Sequence, residues 1–259
     1  MPIPLHCVQL DSVWEDKASN FNRARTLLQS TAPAPGSLIV FSEMFATGFS
    51  CRLEATLEPL HGETEAFLRE IASTWQSTVI GGLITPGKDG QGHNQALVIG
   101  PEGQELARYT KQRPFSLGGE SSVHAAGNHA VVFPWAGLQI SPLICYDLRF
   151  PELARESLKL GAEVLVYIAA WPVKRQQHWL TLLQARAIEN QAYVIGVNRC
   201  GQEPQYSYAG RSVVVDPHGV IIADAGEQER VLTAHLDADL VRQWRAEFPA
   251  ARDFTNGGL

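Results

Sequence analysis

The sequence predicts an α/β chain, on three observations. Apolar runs of strand length alternate with longer stretches of helical spacing. The runs SLIVFS at residues 37–42 and AEVLVYIAA at 162–170 are compact and continuous, and the second has the character of a parallel strand covered on both faces. Glycine-rich turns divide residues 78–109 into three short strands, the pattern of a meander. The 259 residues suffice for one large domain or two small ones. No repeat or linker divides them, so a single domain spanning 1–259 is the simplest count.

Residues 3–10 alternate as a first strand, and residues 18–28 place Phe21, Ala24, Leu27 and Leu28 on one helical face. A proline-rich break at 31–36 leads into the strand 37–42, and 44–52 reads as loop. Residues 63–75 form a second amphipathic helix with Phe67, Leu68 and Ile71 inward. The meander strands fall at 78–84, 94–99 and 105–109, and 112–127 is loop. Residues 131–133 and 138–144 form a hairpin. Asp147 is placed to cap a helix, Pro151 suits its first turn, and 152–160 carries its apolar positions. The strand 162–170, a helix at 177–190 and a strand at 192–198 follow. Residues 206–215, 220–223 and 231–236 read as antiparallel strands joined by turns at 216–219 and at Gly226. A helix at 237–248 closes the chain, and the polar tail 249–259 is expected to fray or to pack on a partner subunit.

Composition excludes several function classes. A net charge of −6 without a dense Lys/Arg cluster argues against nucleic-acid binding. The longest apolar stretch, 164–172, is too short to span a bilayer, and the amino end lacks the charged and apolar regions of a signal peptide. Cys7, Cys51, Cys145 and Cys200 are widely spaced, which points to free thiols in a reducing, cytoplasmic compartment. The eight histidines show no metal-ligand spacing, and no phosphate-cradling glycine motif is present. No metal and no cofactor are therefore expected.

Three residues share one context. Glu43, Lys111 and Cys145 each stand just past an apolar strand, and Cys145 sits where a strand hands over to a helix. Open α/β sheets gather reacting groups at the carboxyl ends of strands. If these ends meet, a carboxylate, an ammonium and a thiol share one pocket. Taken singly, each has a plain structural reading: Glu43 as a helix cap, Lys111 as a solvated loop charge, Cys145 as a small core residue.

Glu43 in F-S-E-M-F, Lys111 in Y-T-K-Q-R-P-F and Cys145 in I-C-Y-D-L-R-F-P-E resemble, in order and spacing, the three signature blocks of the nitrilase superfamily of carbon–nitrogen hydrolases. The block A-W-P-V-K-R-Q-Q-H-W at 170–179 with its continuation to Gly201, Y-A-G-R-S at 208–212 and R-A-E-F-P-A at 245–250 resemble its omega-amidase branch. The resemblance implies a four-layer α-β-β-α sandwich, a Glu43–Lys111–Cys145 triad and assembly as a homodimer. It implies hydrolysis of the terminal amide of 2-oxoglutaramate or 2-oxosuccinamate. Glu120 stands where the family carries a second glutamate and is expected to hold Lys111 or orient substrate; otherwise it is a surface loop acid.

On this reading Glu43 takes the thiol proton as Cys145 attacks the amide carbon, and Lys111 and the backbone N–H of Tyr146 hold the oxyanion. Such substrates bear a carboxylate. Arg149 and Arg175 are the candidate cations, although Arg149 is also spaced to pair with Glu152. Trp171 and Phe45 are candidate pocket walls or plain core. Two departures from the family pattern bear on substrate identity. Arg113-Pro114-Phe115 stands in place of His-Leu-Phe after the lysine, and Ala170 in place of Asn before Trp-Pro. The rivals are a carbamoylase, a nitrilase or another amidase of the superfamily, and a non-catalytic binding protein on the same fold.

Overall fold

The computed structural model describes residues 2–256. Strands β1 (Ile3–Gln9), β2 (Leu38–Phe41), β3 (Thr78–Pro86), β4 (Gly92–Ile99) and β5 (Glu105–Thr110) lie in a first sheet. Strands β6 (Phe133–Trp135), β7 (Leu138–Ile144), β8 (Val164–Ala169) and β9 (Tyr193–Asn198) lie in a second. β10 (Cys200–Gln202) and β11 (Ser207–Ala209) form a separate hairpin. β12 (Val213–Val215) and β13 (Ile221–Asp224) complete the second sheet, and β14 (Arg230–Leu236) returns to the edge of the first. The sheet orders are β14-β1-β2-β3-β4-β5 and β13-β12-β9-β8-β7-β6.

The helices are α1 (Lys17–Thr31), α2 (Leu53–Thr56), α3 (Glu63–Trp75), α4 (Glu120–Val123), α5 (Pro151–Lys159), α6 (Gln176–Asn190), α7 (Ala238–Glu247) and α8 (Ala250–Asn256). Asp16 caps α1 by accepting from the Ser19 N–H at 3.0 Å, a contact worth about 1 kcal/mol. Among the described residues no helix is long and apolar enough to cross a membrane.

The side-chain alternation of the first sheet explains the layers. Leu38 and Val40 of β2 point into a core shared with the second sheet, which also receives Leu183 and Ala187 of α6. Ile39 and Phe41 point the other way, into a core with Phe21, Ala24 and Leu28 of α1 and Phe67, Leu68 and Ile71 of α3. Both faces are covered, so the run SLIVFS needs no polar positions. β8, paired in parallel with β7 and β9, is fully buried for the same reason. The α-β-β-α order expected from the resemblance is the observed one, in a single domain.

Several expectations are corrected. The hairpin before the thiol starts at Phe133 and not at 131, because Ala136 (φ 46°) and Gly137 (φ 81°) form its two-residue turn. The strand expected at 206–215 is two strands, broken where Gly210 and Arg211 both take positive φ. β14 does not pair with β13; it lies antiparallel to β1 in the other sheet. The stretch 112–127 is not all loop, since α4 starts at Glu120. In the tail, residues 250–256 form α8, fastened by Gln191, whose side chain accepts from the Ala251 N–H at 2.8 Å. The tail's last three residues lie outside the described residues.

Candidate active site

β2 and β5 run in the same direction. β2 pairs in parallel with β3, and two antiparallel steps through β4 restore that sense at β5. Their carboxyl ends, carrying Glu43 and Lys111, therefore lie at one edge of the first sheet. β7 of the second sheet delivers Cys145 to the same place. The three residues, taken from points up to about a hundred positions apart, meet in one buried cluster together with Glu120.

Lys111 Nζ lies 2.7 Å from Glu43 Oε1 and 2.7 Å from Glu120 Oε2. The Asn94 amide donates to both carboxyls, at 2.8 Å to Glu43 Oε1 and 2.7 Å to Glu120 Oε1. The Ala170 N–H donates to Glu43 Oε2 at 2.9 Å, and the Phe115 N–H to Glu120 Oε2 at 2.6 Å. His124 Nδ1 lies 3.3 Å from Glu120 Oε1. Each carboxyl is thus held from several sides, which fixes its orientation before any substrate arrives. Glu120 is a buried member of the cluster and not a surface acid.

Burial pushes the Cys145 thiol well above its ordinary pKa, Glu43 pushes it further, and Lys111 pulls back. The resting group is therefore a thiol, with its Sγ 3.9 Å from the Ala170 carbonyl oxygen. Burial works against the Lys111 ammonium, but the Glu120 and Glu43 carboxyls prevail and hold its pKa well above the usual lysine value. Burial likewise opposes the Glu120 carboxylate, yet Lys111 and His124 hold its pKa at about 2. Charge in this pocket is stabilised by fixed partners and not by water.

The thiol stands on a tight turn. Cys145 adopts φ 46°, a left-handed conformation that costs a side-chain-bearing residue about 1–2 kcal/mol. The Cys145–Arg149 turn is a single helical turn, so the Tyr146 N–H stands ahead of its first internal hydrogen bond. Asp147 does not cap α5; Phe150 occupies that position with Pro151 in the first turn. The Asp147 carboxyl instead accepts from the Ile144 N–H at the start of the turn, at 3.0 Å.

A pocket opens onto Cys145. Tyr146, Arg149, Trp171 and Arg175 all line it. Asn198 clamps the Trp171 backbone, accepting from its N–H at 2.8 Å and donating to its carbonyl at 3.1 Å. The Trp171 indole N–H donates to the Arg175 carbonyl at 2.8 Å, which closes the 171–175 turn. The Arg149 guanidinium lies over the Trp171 ring and 3.1 Å from His178 Nδ1. Arg149 does not pair with Glu152, whose partner is Arg113 at 3.6 Å. Among the described residues neither Arg149 nor Arg175 has an acidic partner. Burial and then the positive charge of Arg175 lower the Arg149 pKa, so an anion between them is favoured.

Phe45 is not a pocket wall. It packs against Phe41 and Phe21 in the core beneath α1 and α3. The walls missing from the sequence reading are Phe49, Phe115 and Tyr206. Asn94 was also missed. Its one available signal was register: Gln95 pairs with Thr110, which sets Asn94 opposite Lys111. The two departures from the family blocks touch the site through the backbone. Ala170 holds Glu43 with its N–H, and Arg113 donates its N–H to Asp147 at 2.9 Å. Among the described residues no group of three or more His, Cys, Asp or Glu side chains is arranged to hold a metal ion.

A family model for carbon–nitrogen hydrolases matches residues 6–246. The chain is 37% identical over 255 residues to omega-amidase YafV of Yersinia enterocolitica, covering 97% of this chain and 96% of the relative. It is 31% identical over 253 residues to 2-oxoglutaramate amidase of Bacillus subtilis, covering 96% of each. Among solved structures, a CN-hydrolase superfamily protein from Xanthomonas campestris superposes with a TM-score of 0.92 at 33% identity, covering 98% of this chain and 97% of that one.

Proposed function

The chain belongs to the carbon–nitrogen hydrolase family, and within it we propose that it is an omega-amidase, hydrolysing the terminal amide of a small 2-oxo dicarboxylate monoamide such as 2-oxoglutaramate or 2-oxosuccinamate. The observation that carries the substrate class is the pair of arginines, Arg149 and Arg175, without acidic partners among the described residues and in one pocket with Cys145. That pair suits a carboxylate at one end of a short chain whose other end reaches the thiol. The relatives named omega-amidase and 2-oxoglutaramate amidase support the same reading.

The reaction runs in two halves. Glu43 takes the thiol proton as Cys145 Sγ attacks the amide carbon, because burial leaves little free thiolate. The carbonyl oxygen becomes an oxyanion, held by the Lys111 ammonium and the Tyr146 N–H. On collapse the C–N bond breaks, and Glu43 returns its proton to the departing ammonia. A thioester at Cys145 remains. Water, deprotonated by Glu43, attacks that carbonyl; the C–S bond breaks, and the 2-oxo acid leaves as the thiol regains its proton. Glu120 keeps Lys111 charged and aimed throughout. Trp171 and Tyr146 wall the acyl chain.

The enzyme works in the cytoplasm as a homodimer. The exposed apolar side chains Leu160, just past α5, and Ile188 of α6 support an interface on that helical face. α8 borders it, with Phe254 against Arg155 and Lys159 of α5. The test is the Cys145→Ala variant. It is expected to abolish ammonia release from 2-oxoglutaramate while circular dichroism stays that of the wild type. Retained activity in that variant would overturn the mechanism.

A further inference from the structure

Asp147 is fully buried, two residues past Cys145, and takes no part in the chemistry described above. Three donors converge on it. Its Oδ2 accepts from the Ile144 N–H at 3.0 Å, the residue before the thiol. The same oxygen accepts from the Tyr109 hydroxyl at 2.8 Å, two residues before Lys111. Its Oδ1 accepts from the Arg113 N–H at 2.9 Å, two residues after Lys111. One carboxylate thus closes the turn around Cys145 and grips the chain on both sides of Lys111.

We infer that Asp147 is a positioning residue, which locks the turn that carries the nucleophile to the strand end that carries the oxyanion-binding lysine. Cys145 and Lys111 belong to different sheets, and no hydrogen bond of a β-ladder joins β7 to β5. Packing alone sets their separation only as tightly as side chains interlock. A direct tie from each element to a shared carboxylate sets it to hydrogen-bond precision. The tie also opposes relaxation of the left-handed Cys145 backbone, since the Ile144 N–H bond closes the loop across it. Two of the partners are backbone N–H groups, one on each carboxyl oxygen, so the tie needs an acceptor on both. An asparagine keeps only one.

This inference rests on the reading of Cys145 as nucleophile, and two measurements separate the two claims. In Asp147→Asn, kcat for 2-oxoglutaramate is expected to fall about 100-fold with KM within about threefold of wild type, because the Arg149 guanidinium is held by Trp171 and His178 and not by Asp147. Alkylation of Cys145 by iodoacetamide, read by peptide mass, is expected to slow about tenfold, because the thiol has left its base. The alkylation readout needs no substrate. If wild type fails on every amide but Asp147→Asn still slows alkylation, the functional reading falls and the positioning role stands. If Asp147→Asn is folded, turns over and alkylates at wild-type rates, the positioning role is overturned. Should Asp147→Asn fail to fold, Tyr109→Phe removes one of the three donors and leaves the carboxylate. A loss of about tenfold in kcat at unchanged KM is expected there, and an unchanged kcat refutes the tie.

Discussion

Glu120→Gln tests the electrostatic half of the site. Four groups converge on the two Glu120 oxygens: Lys111 and the Phe115 N–H on Oε2, Asn94 and His124 on Oε1. A glutamine keeps one oxygen. If that oxygen stays with Lys111 and Phe115, the new amide N–H group faces the Asn94 amide, itself a donor to Glu43. If it turns, the N–H group faces an ammonium. Either way a hydrogen bond to a charged group is lost or reversed, worth about 1.5–3 kcal/mol. Lys111 also loses the first of the two carboxylates that counter its burial. Carried into the transition state, where the proposed mechanism has Lys111 meet the oxyanion, this amounts to roughly 10- to 100-fold in kcat. The assay couples released ammonia to the reductive amination of 2-oxoglutarate and separates kcat from KM. A kcat within about twofold of wild type, in a folded variant, would refute the assignment. So would a loss confined to KM, which would make Glu120 a substrate ligand instead.

Two further outcomes follow from named contacts. Arg149→Ala and Arg175→Ala are each expected to raise KM for 2-oxoglutaramate about tenfold, while turnover of a carboxylate-free amide such as propionamide changes little; equal effects on both substrates would remove the carboxylate-binding role. Gly82→Ala places a Cβ 2.5 Å from the Met44 N and 2.8 Å from the Glu43 Cα. The backbone carrying Glu43, the proposed general base, has to shift, so kcat is expected to fall more than about tenfold with a stability loss of about 1–3 kcal/mol, read by urea denaturation.

The parts of this protein legible in the sequence are those written in local pattern. The helix at 63–75 was read at its observed bounds because its apolar spacing and its termini lie within the segment itself. The strand before Cys145 and the parallel strand that follows α5 were legible for the same reason. Glu43, Lys111 and Cys145 stood out because each ends an apolar run. Local pattern failed where a residue's role depends on a partner far along the chain. Asp147 looks like a helix cap from sequence because capping is the local use of an aspartate at such a place. Its actual partners sit 34 and 38 positions away as well as 3. Phe45 follows Glu43 closely yet packs into the core beneath α1 and α3, because the positive φ of Met44 turns the chain between them.

By itself, then, the sequence determined the α/β class and the order of most elements, and it singled out Glu43, Lys111 and Cys145 as candidates for the chemistry that the resemblance implies. The tertiary structure alone decided which strand ends meet and that Asn94 ties the two glutamates together. It also decided that, among the described residues, Arg149 has no acidic partner while Glu152 goes to Arg113. The physical reason is the same in each case. Secondary structure is selected by neighbours within a few residues, through backbone geometry and the period of apolar side chains. The site is selected by the packing of two sheets, which sets side chains from distant segments at hydrogen-bonding distance and excludes the water that would otherwise screen their charges.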